Sequence, residues 1–180
     1  MIFSPSPVLP DVIILQPDVH ADKRGYFMET YHQKEFAAGG IDRAFIQDNQ
    51  SMSARGTLRG LHYQIQRPQG KLVRVIYGEV FDVSVDIRRS SPNFGRWFGI
   101  RLSAKNKKAV YVPPGFAHGF CVLSERAEFF YKCTDFYAPE FERAIRWNDP
   151  NLAIAWPIND PVLSEKDAAA PYLSDAELPS

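Results

Sequence analysis

From Glu79 to Arg88 the chain alternates. Phe81, Val83, Val85 and Ile87 take one side of an extended segment, and Asp82, Ser84, Asp86 and Arg88 take the other. A period of two sustained this long is the pattern of a β-strand. Similar runs occur at residues 45–50, 60–65, 72–77, 97–102, 108–112, 118–123 and 128–134, separated by turn-forming clusters such as Arg67-Pro68-Gln69-Gly70, Ser91-Pro92-Asn93 and Pro113-Pro114-Gly115. Strands recurring about every 8–12 residues predict an antiparallel sandwich or barrel. Helical patterning is confined to two short places. One is residues 31–38, with Thr30 and Gln33 set as a capping box and Gly39-Gly40 as a stop. The other is a turn opening at Ser164 in Ser-Glu-Lys-Asp. No strand–helix alternation, G-x-G-x-x-G or phosphate-binding loop occurs, so a parallel sheet is not expected. The predicted fold is all-β, an antiparallel jelly roll with a few short helices and a ligand-sized interior. One domain is expected over residues 1–180: an N-terminal arm to about residue 45, a core to about 145, and a Pro-punctuated, acidic C-terminal arm from about 148.

The chain's 180 residues can bury a sizeable core without staples. Apolar residues are 45% and charged residues 23%, which sets aside disorder and low complexity. Lys and Arg number 21, as do Asp and Glu, so no net field draws the protein to nucleic acid or to an anionic membrane, and neither is expected as a partner. No stretch approaches the ~18 uninterrupted apolar residues of a membrane span. Cys121 and Cys133 sit in strand patterns and read as small buried hydrophobes, and Met1 to Pro10 lacks the basic and apolar regions of a secretory leader. A reducing cytoplasm is the expected location.

The four histidines divide. His20 and His32 have polar neighbours and suit a solvated surface. His62 lies in the strand-like run Leu58-Arg59-Gly60-Leu61-His62-Tyr63-Gln64, and His118 follows Pro113-Pro114-Gly115-Phe116-Ala117. Metal-binding cupin jelly rolls pair a His-x-His with a later Pro-x-Gly-x-x-His. Pro113, Gly115 and His118 fit the second motif, but Gln64 stands where the first needs histidine. Two imidazoles and an amide make a poor site for zinc or ferrous iron, so no metal is expected. Parity places Gln47, Asn49 and Ser51 on one strand face, His62 with Gln64, and Phe129, Tyr131 and Cys133 together. Arg59 and His62 have opposite parity and can share a cavity only through a bulge or kink at Gly60. So many inward polar groups cost stability unless a ligand or water uses them.

These residues fall into motifs that resemble the dTDP-4-dehydrorhamnose 3,5-epimerases, a family of deoxysugar epimerases. The blocks are Asp22-x-Arg24-Gly25-x-Phe27-x-Glu29, Phe45-x-Gln47-x-Asn49-x-Ser51, the run from Leu58 to Gln64, and Gln69-x-Lys71-Leu72-Val73-x-Val75. Later come Val112-Pro113-x-Gly115-x-x-His118-Gly119-Phe120, Tyr131-Lys132-x-Thr134-x-x-Tyr137 and Leu163-Ser164-x-Lys166-Asp167. The resemblance implies a cupin-like jelly roll, a homodimer, no cofactor, and epimerisation of a nucleotide-linked 4-keto-6-deoxyhexose at C3 and C5 on the way to dTDP-L-rhamnose and a surface polysaccharide. A single-carbon epimerase of another such sugar, or a non-catalytic sugar-binding cupin, are the alternatives.

The residue types suit the chemistry. The C4 carbonyl acidifies both neighbouring C–H bonds, and inversion needs a base on one ring face, an acid on the other and a holder for the enolate charge. Imidazole, with an ordinary pKa of ~6.5, is a natural base, and His62 is the candidate. By resemblance Asp167 pairs with it, Tyr131 is the acid and Lys71 lies near the enolate oxygen. Arg24 and Arg59 are the implied diphosphate clamps, matching guanidinium forks to phosphate oxygens. Gln47, Asn49 and Glu29 are implied to bond the nucleoside and Tyr137 to stack on thymine, with His118, Glu142 and Lys166 around the substrate.

Overall fold

A computed structural model describes residues 1–179. In chain order the elements are β1 (Ile2–Pro5), β2 (Ile13–Gln16), β3 (His20–Asp22), β4 (Gly25–Phe27), α1 (Gln33–Ala38), β5 (Gln47–Ala54), β6 (Leu58–Gln64), β7 (Lys71–Tyr77), β8 (Glu79–Asp86), β9 (Trp97–Ser103), β10 (Ala109–Val112), β11 (Phe116–Val122), β12 (Arg126–Cys133), β13 (Glu142–Ala144) and α2 (Glu165–Ala168). A six-stranded sheet runs β1-β2-β10-β7-β12-β5 and a five-stranded sheet runs β13-β6-β11-β8-β9, with β3-β4 a separate hairpin. Every ladder between these strands is antiparallel. This is the predicted all-β, cupin-like architecture.

Each of the eight predicted strands forms, with ends moved by up to four residues. The largest shift is in β5, which continues through Ser51 to Ala54 because Ala54 still pairs with Arg126 of β12. The short strands β1, β2, β3, β4 and β13 carry too few residues to show a period. Their structure comes from tertiary pairing, as when β2 joins the large sheet beside β10. The first helix also begins later than expected. His32, not Thr30, is the cap: its backbone is extended and its Nδ1 accepts from Glu35 N at 3.4 Å. At the second helix Ser164 caps as predicted, its Oγ accepting from Asp167 N at 3.1 Å.

The structure settles which side of the β8 alternation faces inward. Its apolar side, with Val83, Val85 and Ile87, packs outward with Leu61 and Tyr63 against Ile145, Leu152, Leu173 and Ala176. Its polar side turns between the sheets, where Asp82 and Ser84 are each 1% exposed. The space between the sheets holds a separate apolar cluster that includes Val73, Val75, Val80, Phe98, Val110, Phe120 and Phe129. A third cluster, with Leu15, Phe36, Ile41, Leu72 and Tyr111, seals α1 to the outside of the large sheet. Burial of each such side chain stabilises by about 1.5–3 kcal/mol, which leaves room for polar groups elsewhere in the interior.

Gly60 supplies the expected irregularity. His62 pairs with His118 but Arg59 pairs with Phe120, so two residues of β6, Gly60 and Leu61, oppose one of β11, Gly119. That extra residue restores Arg59 and His62 to the same face. Gly60 has φ +119°, and a Cβ there would lie 2.6 Å from Gly119 Cα and 2.7 Å from the His118 carbonyl oxygen. Both neighbouring atoms are backbone, so relief requires moving a strand. Gly60→Ala is expected to destabilise the fold by roughly 2–4 kcal/mol, read as a lowered urea midpoint at unchanged slope. A midpoint within experimental error of the parent's would show that β6 and β11 are not held this closely.

Candidate active site

Where the two inner faces separate, they enclose a cavity of about 370 Å³. That size is in the range of small-molecule sites. The six-stranded sheet lines it with Gln47, Asn49, Ser51, Lys71, Phe129 and Tyr131, and the five-stranded sheet with Arg59, His62, His118, Phe120 and Glu142. Gln69 and Tyr137 close it from loops. A side arm continues past Gln64 and Phe116 to Pro179.

His62 stands at the bulge, part-exposed to the cavity, and its Nε2 is 2.5 Å from Asp167 Oδ1. Residues 62 and 167 meet because Ser164 caps α2 and so directs its first turn at β6, where Asp167 is 3% exposed. Burial pushes the Asp167 carboxyl up. The hydrogen bond and charge of His62, the Ser164 hydroxyl and a backbone bond from Gly60 outweigh it and hold the group below the usual carboxylate value. The carboxylate fixes the imidazole through one nitrogen and leaves the other to meet a proton.

Tyr131 comes from the opposite sheet. Burial, with Cys133 next in weight, raises its phenol above the ordinary value, so the ring keeps its proton. Lys71 lies two strand positions along the same face. Burial lowers its ammonium, with Cys133, Glu142 and Asp82 partly offsetting that. An anionic group in the cavity would favour its charged form. Cys121 and Cys133 are buried free thiols as predicted, and burial pushes Cys121 up to about 11.

Glu142 joins two residues. Tyr137 Oη donates to its Oε2 at 2.9 Å, and Lys166 pairs with the same oxygen. Lys166 thus reaches the cavity through Glu142. Burial raises the Glu142 carboxyl, but Lys166 and Tyr137 hold it below its ordinary value. Arg59 Nε donates to Ser53 Oγ at 3.0 Å. Gln47 Nε2 donates to Asn49 Oδ1 at 3.1 Å.

Two predicted residues are not brought to the cavity. Arg24 sits on the β3–β4 hairpin, exposed and paired to Asp22 at 2.6 Å, and Glu29 follows it on the surface. Neither lines the cavity. Sequence reasoning in turn missed Asp82. It is buried, its Oδ2 lies 2.8 Å from His118 Nε2, and among the described residues its Oδ1 has no hydrogen-bond partner. The signal was there in β8, but alternation does not say which side faces inward. Gln64 and Gln69 were likewise passed over as cavity residues. Among the described residues, no group of three or more His, Cys, Asp or Glu side chains could hold a metal ion. No helix among them is long and apolar enough to cross a membrane.

A family model described as dTDP-4-dehydrorhamnose 3,5-epimerase matches residues 7–175. The chain is 60% identical over 171 residues to the dTDP-4-dehydrorhamnose 3,5-epimerase of Pseudomonas aeruginosa, with 94% of each chain covered. Among solved structures it resembles the dTDP-6-deoxy-D-glucose-3,5-epimerase of Legionella pneumophila in complex with dTDP-4-keto-L-rhamnose. The TM-score is 0.95 at 50% identity, covering 99% of this chain and 97% of that one. A 3'-monoepimerase from Streptomyces bikiniensis in complex with dTDP-quinovose is also similar, with TM-score 0.89 at 35% identity, covering 95% and 87%.

The depressed Asp167 fixes a sign. Below the ordinary aspartate value of ~3.9 the unfolded chain binds more protons there than the folded one, so this contribution is whole above that value and is lost as pH falls through the lower folded value. Asp167→Asn should cost about 1–3 kcal/mol near neutral pH. The gap to the parent should narrow below about pH 4, measured by urea unfolding across a pH series. A gap that stays constant into strong acid would mean the carboxylate is not held by this pairing.

Proposed function

The chain belongs to the dTDP-4-dehydrorhamnose 3,5-epimerase family, and on that premise we propose a division of labour among its cavity residues. The enzyme is an isomerase that epimerises C3 and C5 of dTDP-4-dehydro-6-deoxy-D-glucose. His62 removes the proton from carbon, and Asp167 holds the imidazole and balances the imidazolium. The C–H electron pair moves into an enolate whose charge rests on the C4 oxygen beside Lys71. Tyr131 returns a proton to the opposite face and is reprotonated from solvent. What supports this reading is one observation: His62, paired to Asp167 of α2, and the Tyr131 phenol come from opposite sheets and line one cavity. Each proton step has a residue, so the reaction needs no cofactor.

Arg59 takes the diphosphate, Gln47 and Asn49 the nucleoside, and Tyr137 the thymine face, with His118, Glu142 and Lys166 around the sugar. The product feeds dTDP-L-rhamnose and surface polysaccharide, in the cytoplasm. The single-carbon alternative is weaker, since the monoepimerase stands at 35% identity against 60% for a 3,5-epimerase. A non-catalytic cupin would have no use for the retained acid and base.

A homodimer would account for Arg24 and Glu29. The β3–β4 hairpin exposes Tyr26 and Phe27, at 57% and 70%, and none of its residues lines its own cavity. Such apolar exposure suits an interface. Arg24 and Glu29 would then serve the neighbouring subunit's dTDP.

Two experiments test these assignments. In D₂O, His62→Ala should lose both hydrogen exchange and epimerisation by at least ~10²-fold. Tyr131→Phe should still exchange substrate hydrogen while forming epimer far more slowly. Equal loss of both in Tyr131→Phe would remove Tyr131 as the acid. Co-expressing Arg24→Ala with His62→Ala tests the dimer. If Arg24 acts across subunits, each mixed dimer has one intact cavity, and activity should return to about a quarter of the parent's. Co-expressed chains no more active than either variant alone would assign Arg24 to its own subunit or to no clamp.

A further inference from the structure

Past Cys133 the chain leaves its β-ladder, and residues 135–138 lose strand partners. Their backbone groups are taken up by side chains. Gln69 Nε2 donates to the Asp135 carbonyl at 2.9 Å, and Phe136 N donates to Asp135 Oδ1 at 2.7 Å. Tyr137 N donates to Gln47 Oε1 at 2.8 Å. Gln64 makes the central tie. Its Oε1 accepts from Ala138 N at 2.9 Å, and its Nε2 donates to the Arg67 carbonyl at 2.8 Å and reaches the Phe136 carbonyl at 3.5 Å. Gln64 is 4% exposed, so these bonds are not exchanged for water without cost.

Gln64 also stands two residues beyond His62 on the inward face of β6. Its amide bridges both peptide bonds flanking Tyr137, whose ring closes the cavity and bonds Glu142. A glutamine fits where a carboxylate would not: it must accept from one N–H and donate to carbonyls at once. We propose that Gln64 is a positioning residue that fixes Tyr137 over the nucleotide end of the cavity by bonding the backbone on either side of it. This rests on the reading of Tyr137 as the thymine-stacking residue. The position where a metal-binding cupin would carry a ligand here holds a loop in place. Gln64 acts on binding of the nucleotide and not on the proton transfers of His62 and Tyr131.

The test uses the full-length protein with dTDP as probe, by calorimetry, and steady-state kinetics with the sugar nucleotide. Gln64→Met keeps side-chain length and deletes all three bonds. It should bind dTDP about tenfold more weakly and raise KM alike, with kcat within about twofold of the parent. Where Gln64→Met does not fold, Gln69→Met, which cuts the Asp135 tie, should show the same split more weakly. Tyr137→Ala should weaken dTDP on its own, and adding Gln64→Met to it should cost nothing more. Additive losses would overturn the proposal, since Gln64 would then touch ligand or support the fold generally. Unchanged dTDP affinity in Gln64→Met with a weakened Tyr137→Ala overturns this proposal alone. Full affinity in Tyr137→Ala overturns the thymine reading and this one with it.

Discussion

The contact on which the rest of the site depends is backbone against backbone, where Gly60 of β6 meets Gly119 of β11. Two strands can approach this closely only if neither carries a Cβ at the crossing. The close pass accommodates the extra residue in β6, and the extra residue turns Arg59 back to the side His62 occupies. Flanking bonds then tie the same point outward. Leu61 exchanges two backbone bonds with Ile145, at 3.1 and 2.9 Å, and Gly60 contributes to holding Asp167. One glycine therefore sets the direction of a cationic side chain, of the imidazole and of its carboxylate.

Around that point the molecule keeps polarity inside and hydrophobicity on both flanks. Asp82, His118, Lys71 and Tyr131 lie between the sheets beside one apolar cluster, and two further apolar clusters cover the outer faces. Burial disfavours charge on Lys71 and on Tyr131 alike, with Cys133, Glu142 and Asp82 partly offsetting it at the lysine. Under the proposed division of labour, the sugar nucleotide adds negative charge beside the lysine and presents a carbon acid to the imidazole. Ligand binding and catalytic readiness share one electrostatic cause.

Much of this was legible in the chain. Alternation found the eight long strands, and parity grouped Gln47, Asn49 and Ser51 as they stand in the cavity. The clash of parity between Arg59 and His62 even located the bulge. The remainder was hidden for physical reasons. A period of two is blind to which side is inward, so it did not single out Asp82 of β8. A strand as short as β13 forms only because a neighbour, here β6, offers it partners. The pairing of His62 with Asp167 spans 105 residues, and no local pattern encodes such a distance. There the family resemblance carried information that periodicity did not.

The covering of the five-stranded sheet has a consequence for the order of biosynthesis. Leu152, Leu173 and Ala176 seal the outer faces of β6 and β8, yet they leave the ribosome after every strand of that sheet. A nascent chain that has completed β13 therefore shows water the apolar side of Val83, Val85 and Ile87. It also lacks the carboxylate of Asp167. Synthesis thus passes through an interval in which the sheets can pair while their flank is sticky and the base has no partner, a window suited to chaperone capture. A chain that stops before α2 leaves this apolar flank without Leu173 and Ala176 and leaves His62 without its carboxylate partner.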